Sequence, residues 1–377
     1  MARAPATEAT EALPEADRLG DFPHPRETFD LLGQEAAEAA LVRAFAGGRM
    51  HHAWLLAGRA GIGKATLAYR LARHVLAHPG ERDPAGKSLA VPAGASPARQ
   101  IAAQAHPGLL VLRRPWDPRT KRFATGIPVD EVRRLRSFLG LTAEGGGWRV
   151  VVVDSADDLN LNAANALLKS LEEPPPRALF LIVSAHPSGL LPTIRSRCRR
   201  LDLAPLGPEH LRRAAEAAMR AAGVDRPKPE EWLQLERLAD GSVRTLLQLA
   251  DGGVDLYRRI AQVLARLPAV DWPAAHVLAD QLATDAQEQR FETWFSLLLG
   301  ALARLVRLRA SGQSRTEGGT DAELALAARL IAQDRLPAWA ELWQAIVTDK
   351  ADADELNLDR KALILRILAR LEAAARV

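Results

Sequence analysis

HHAWLLAGRAGIGKATLA, residues 51–68, decides the fold. An apolar run, Ala53 to Ala57, stops at Gly58. Gly58, Gly63 and Lys64 then meet the pattern G-x-x-x-x-G-K-[ST], with Gly61 between them. Beyond Lys64 the apolar residues recur at helical spacing to about Ala77. Strand, glycine loop and helix in that order are the context a phosphate-binding loop needs. Successive backbone N–H groups and a helix N-terminus face the phosphates, and the lysine adds positive charge. One letter departs. Ala65 stands where a hydroxyl would hold Mg²⁺, and Thr66 lies on another side of the helix and does not replace it.

Working outward, WRVVVVDSADDLN places four valines before Asp154, a β-branched run that marks a strand buried on both faces, as in parallel sheets. Further strands are expected at Leu109–Arg113, at Ala178–Ala185 and near Arg200–Leu203, alternating with helices such as NLNAANALLKSLEE, which stops at Pro174. That alternation predicts an α/β P-loop domain built on a doubly wound parallel sheet. After Pro205 the strand signals end and the chain reads as helices, including a long one near Ala286–Ala310, a polar loop SGQSRTEGGT at 311–320 and three more helices.

The expected organisation is a disordered extension at 1–24, an α/β domain at 25–204, a small helical lid at 205–252 and an all-helical domain at 253–377. The Ala-, Pro- and Gly-rich stretch at 78–107 has no firm period and is read as a flexible insertion.

Composition sets outer limits. Lys+Arg 50 against Asp+Glu 46 leaves a net charge of +4, which permits nucleic acid nearby without demanding it. The single cysteine, Cys198, excludes an intramolecular disulfide and any multi-cysteine zinc site, and it points to a reducing, cytoplasmic compartment. No charge-free stretch of 18 apolar residues suggests a membrane span, and the first 20 residues carry acids rather than the apolar segment of a signal.

A hydrolytic site of this kind places an Asp at the strand end for the metal and then a Glu to orient water. Asp154 fits the first role, but Ser155 holds the second, and a hydroxyl is a poor base at neutral pH. Asp157 and Asp158 read as capping and solubilising charge. TIRSRCRRL, residues 193–201, carries four arginines directly after the apolar strand ending at Ser184. In ring-forming NTPases an arginine so placed reaches a neighbour's nucleotide and stabilises charge on its γ-phosphate, worth about 10³ to 10⁵ in rate.

HHAWLLAGRAGIGKATLA, then VVVVDSADDLNLNAANALLKSLEEPP, then Ser196-Arg197-Cys198, in this order and spacing, closely resemble the AAA+ clamp-loader subunits of bacterial DNA polymerase III. The resemblance is strong from Phe29 to Leu203 and weaker through GSVR, 241–244, and the C-terminal NLDRK. It implies a hetero-pentamer with gamma/tau motor subunits and a delta subunit, which uses ATP to open a sliding clamp and place it on primed DNA. It further implies that this chain is a non-hydrolysing member with no catalytic activity by itself. Arg197 would be an arginine finger acting in trans, Ser184 a sensor-1 residue, Arg244 a sensor-2 residue, and the last domain a collar. Many relatives carry a four-cysteine zinc module after the loop helix. Here the segment has no cysteine, and His74, His78 and His106 read as surface residues, so no zinc is expected.

The competing reading is an active AAA+ ATPase, either a motor subunit or another DNA-remodelling enzyme. Ala65 and Ser155 discriminate, because a motor needs both groups they lack. A small-molecule kinase gives no reason for Ser196-Arg197-Cys198 or for the helical half. Weak binding of ATP or ADP in the loop stays open at this level, as do direct DNA contacts through Arg133, Arg134 and Arg136.

Overall fold

The structure is a computed structural model that describes residues 13–140, 147–284, 288–311, 321–356 and 358–376. The first twelve residues of the expected extension, Asn357 of NLDRK and the polar loop at 311–320 beyond Ser311 lie outside the described residues.

Helix α1 (Glu35–Ala46) leads into β1 (Ala53–Ala57), the glycine loop and α2 (Lys64–Leu76). Then follow α3 (Ser96–Ala102), β2 (Leu109–Leu112), the short β3 (Trp116–Asp117) and β4 (Arg122–Phe123), α4 (Val129–Gly140) and β5 (Arg149–Val153). The sequence of elements continues with α5 (Leu161–Glu172), β6 (Ala178–Ser184), α6 (Pro192–Arg197), β7 (Arg199–Asp202) and α7 (Pro208–Ala222). Five strands form one parallel sheet in the order β2-β5-β6-β1-β7. The four valines of β5 are wholly buried, as a central parallel strand requires. Val151 and Val153 share one core with Leu55, Phe180, Ile182 and the apolar faces of α4 and α5. Residues on a strand alternate faces, so Val150 and Val152 turn to the opposite side, where α2 packs on β1, β5 and β6. Asn160 caps α5 by accepting the N–H of Ala163 at 2.8 Å.

The chain divides into two compact units. One comprises residues up to Arg226 together with Asp240–Arg244, and the other comprises Pro227–Ala239 and Thr245 onward. The expected lid at 205–252 is therefore shared out: α7 stays with the sheet, while α8 (Pro229–Ala239) and α9 (Val243–Gln248) from Thr245 belong to the second unit. That unit is all helical, with α10 (Val254–Arg266), α11 (Trp272–Leu282), α12 (Glu288–Ser311), α13 (Asp321–Leu330), α14 (Leu336–Glu355) and α15 (Arg360–Arg376). Its core gathers Phe291, Trp294, Trp339, Ile346, Ile364 and Ile367. Buried Asp349 on α14 is held by Arg370 at 2.6 Å and Arg366 at 3.1 Å on α15. No helix among the described residues is long and apolar enough to cross a membrane.

Three expectations need correction. His74, read as a surface residue, is buried on α2, with its ring edge-on to that of Phe45. Residues 13–24 are not disordered, because Phe22 and His24 are buried and Glu15 lies between Arg26 at 2.6 Å and Arg113 at 2.7 Å. Asp17 pairs with His24 at 2.9 Å and with Arg113 at 3.0 Å. The acids that make this stretch look solvated are thus paired with Arg26, His24 and Arg113, and the chain just beyond is held by buried Arg73 of α2, which donates to the carbonyls of Arg26 and Thr28, each at 2.8 Å. The stretch 78–107 is likewise packed rather than flexible. Leu89, Ala98 and Ile101 are buried, α3 lies on α2, and Asp83 accepts the N–H groups of Ala85, Lys87 and Ser88, each at 3.0 Å. The hairpin pairing Trp116 with Phe123 was not foreseen.

Candidate functional site

The glycine loop keeps a cradle shape. Gly58, Gly61 and Gly63 have φ of 136°, 75° and 99°, a region costly for other residues. Gly63 is the residue from which α2 starts, so the N-terminus of α2 opens onto the loop.

What faces that cradle is this chain's own backbone. The segment Asp240–Arg244 lies along it: the Ser242 hydroxyl donates to the carbonyl of Ala60 at 2.9 Å, and the Val243 N–H to that of Gly61 at 2.9 Å. Arg59 donates to the Asp240 carbonyl at 2.7 Å and pairs with its carboxylate at 2.6 Å. From the other side Gln34, buried, donates to the carbonyls of Ile62 at 3.0 Å and Ala204 at 2.7 Å. Buried Lys64 turns its ammonium onto loop carbonyls, those of Gly58 at 2.6 Å and of Arg59. Burial lowers the Lys64 pKa to about 8, although the charges of Asp157 and Asp154 favour the ammonium.

Ala65 and Thr66 are half-buried at the first turn of α2. Asp154 follows the end of β5, where burial pushes its carboxyl up to about 7, with the charge of Asp17 adding to the shift and Lys64 and Arg244 opposing it. Ser155 does not address the cradle, since its hydroxyl donates to Asp157 at 2.8 Å. Asp157 is the residue sequence reading undervalued. Its carboxylate accepts from the Ser184 hydroxyl at 2.6 Å and from the N–H groups of Ala185 at 2.6 Å and His186 at 3.1 Å. It ties the turn after β5 to the end of β6, a structural role that absorbs the hydroxyl of wholly buried Ser184. Thus the sequence-selected Gly58, Gly61, Gly63, Lys64, Asp154, Ser155, Ser184 and Arg244 do converge, at or beyond the C-terminal ends of the strands.

Arg197 does not join them. It ends α6 immediately before β7, and β7 pairs in parallel with β1 so that Arg199 lies beside Trp54 at the start of that strand. Arg197 is therefore at the N-terminal edge of the sheet, the opposite edge from the glycine loop. Five strand residues at about 3.3 Å each put roughly 16 Å of sheet between the two edges. Its side chain, 35% exposed, pairs with Glu172 at 2.7 Å and donates to the Thr193 carbonyl at 3.0 Å. Ser196 is exposed, whereas half-buried Cys198 packs against the core and burial pushes its thiol up to about 12. Arg199 stacks over the Trp54 ring, and Arg200 pairs with Asp202 at 2.7 Å. On α4, Arg133 and Arg134 pair with Asp130 and Glu131, each at 2.6 Å.

Comparison with known proteins follows the same boundaries. Residues 33–207 match the family described as "DNA polymerase III, delta subunit". DNA polymerase III subunit delta' of Escherichia coli is 33% identical over 267 residues, covering 70% of this chain and 73% of that protein. The subunit of that name from Pseudomonas aeruginosa is 43% identical over 155 residues, covering 40% of this chain and 43% of its own length. DNA polymerase III subunit tau of Salmonella typhimurium is 30% identical over 231 residues, covering 61% of this chain and 33% of that protein. The matched stretch thus spans less than half of the P. aeruginosa relative and a third of tau.

Proposed function

The chain belongs to the DNA polymerase III delta' family, and on that premise we propose that it is a non-hydrolysing AAA+ subunit of a clamp loader that lends Arg197 to the nucleotide site of a neighbouring ATPase subunit. One observation carries this reading: Arg197 sits at the edge of the sheet opposite its own glycine loop. A guanidinium there has no route to a phosphate held by the same chain, but it is placed to meet one held by the next subunit of a ring. In a ring of AAA+ subunits the partners are gamma/tau motor subunits and a delta subunit, and the assembly's substrates are the sliding clamp and primed DNA.

The loop itself supports the non-hydrolysing half. A nucleotide with Mg²⁺ needs a hydroxyl at position 65 and an acid at position 155, and the chain offers Ala65 and Ser155. Lys64 is spent on loop carbonyls, and Ser242 and Val243 bond the backbone a phosphate would approach. These residues do not fit a nucleotide held with Mg²⁺. Neither zinc nor a nucleotide is required for the role.

The test uses purified chain and a complex reconstituted with motor and delta subunits. The isolated chain is expected to turn over no ATP above background, and Lys64→Ala to leave the complex within about twofold of its normal rate. Arg197→Ala depresses ATP-driven clamp loading by about tenfold or more. Turnover by the isolated chain at the rate of a motor subunit would replace this reading with that of an active ATPase.

A further inference from the structure

Glu172 closes α5, and an acidic side chain there is in the wrong place for the helix. The C-terminal end carries the negative pole of the macrodipole, and a carboxylate in the last turn loses rather than gains from it. Its partner is Arg197, 2.7 Å away on α6. The two helices are pinned together one residue from each contact. Leu171, beside Glu172, and Ile194, beside Thr193, are each 1% exposed and belong to the same core. The guanidinium is therefore held between two fixed points, the Glu172 carboxylate and the Thr193 carbonyl. Of the five N–H donors of an arginine, these bonds use two and leave three for an outside acceptor.

We propose that Glu172 is the positioning residue of Arg197, orienting its guanidinium toward the anionic γ-phosphate oxygens of a nucleotide bound by the adjacent subunit. This rests on the reading of Arg197 as a finger in trans. A half-exposed ion pair contributes at most about 1 kcal/mol to folding, so stability does not explain the pair. Orientation does, because an unconstrained arginine samples many rotamers and a misplacement of about 1 Å in a reacting array can cost 10²-fold.

The experiment reconstitutes the complex with wild-type chain, Glu172→Ala, Glu172→Gln, Arg197→Ala and the double variant Glu172→Ala/Arg197→Ala. Complex formation is measured by size-exclusion chromatography, and kcat and KM for ATP by steady-state hydrolysis. Glu172→Ala is expected to lower kcat about 5- to 10-fold with KM and assembly unchanged, Glu172→Gln to lower it less, and the double variant to match Arg197→Ala alone. A normal kcat for Glu172→Ala beside a depressed one for Arg197→Ala overturns the positioning role and leaves the finger standing. So does a double variant whose loss is the product of the two single losses. A normal kcat for Arg197→Ala removes the finger, and Glu172's role with it.

Discussion

Arg244 packs against Gly61 with no room for a side chain between them: a Cβ placed on Gly61 would lie 2.5 Å from the Arg244 Cβ and 2.9 Å from its backbone nitrogen. The same atom would be 2.4 Å from the Ser242 hydroxyl. The glycine of a phosphate loop, present in such motifs so that a ligand can approach, here admits the backbone of residues 242–244.

Gly61→Ala should therefore be costly twice over. Its φ of 75° disfavours a side chain, and the contacts include the Arg244 backbone nitrogen and its Cβ, which is fixed to the chain and cannot swing aside. The expected destabilisation is about 2–4 kcal/mol. Gly86→Ala is the control, since its φ is 61° but nothing lies within 4 Å of the added carbon, and it should cost about 1–2 kcal/mol. Urea midpoints at constant slope measure both. Equal losses at the two glycines would mean that the docked segment is not sensed by the fold.

Asp154 offers a pH-dependent test of the buried carboxyl at the end of β5. Its folded-state pKa, raised to about 7 chiefly by burial, exceeds the ordinary value of 3.8. The folded state thus binds the proton more tightly than the unfolded one. The stability this confers is fully present below pH 3.8 and is lost as pH rises through 7. Asp154→Asn removes the charge that burial penalises. At pH 8 the variant should be more stable by on the order of 1–2 kcal/mol, discounted for partial exposure, and the advantage should vanish toward pH 4. Denaturant unfolding of both proteins across that range decides it, and a variant less stable at pH 8 would assign the carboxylate a supporting contact.

How much of this was legible follows the range over which each signal acts. The sheet announces itself locally, through the valines of β5 and the apolar run of β1, so its strands fall within a residue or two of expectation. Gly58, Gly63, Lys64 and Ala65 are read from a fixed spacing, and their convergence with Asp154 and Ser184 follows from parallel strand ends. Asp157 was undervalued because its partners, Ser184 and the turn after it, are 27 to 29 residues away. The order of residues 13–24 was invisible for the same reason: Asp17 and Arg113 are 96 positions apart, and no local pattern foretells that pair. Nor does any spacing rule place Ser242 on the glycine loop, 182 residues from Ala60.

The N-terminal cluster can be tested on its most connected member. Burial opposes the charge of Glu15, but Arg26 and Arg113 outweigh it and hold the carboxyl at about 2, well below the usual 4.5. A depressed folded-state pKa stabilises the fold above the unfolded value, so this contribution is complete above pH 4.5 and is lost as pH falls through about 2. Glu15→Gln keeps the shape while leaving Arg26 and Arg113 without their shared counter-charge. Breaking a pair of which both members are 7% exposed should cost about 3 kcal/mol at pH 7. The gap between variant and wild type should then narrow steadily as pH falls from 4.5 toward 2, because protonation makes the wild-type carboxyl equally neutral. Urea unfolding at pH 7, 4 and 3 reads both parts. A constant gap across those pH values would show that Glu15 acts through its shape and hydrogen bonds, and that the segment is not held by charge.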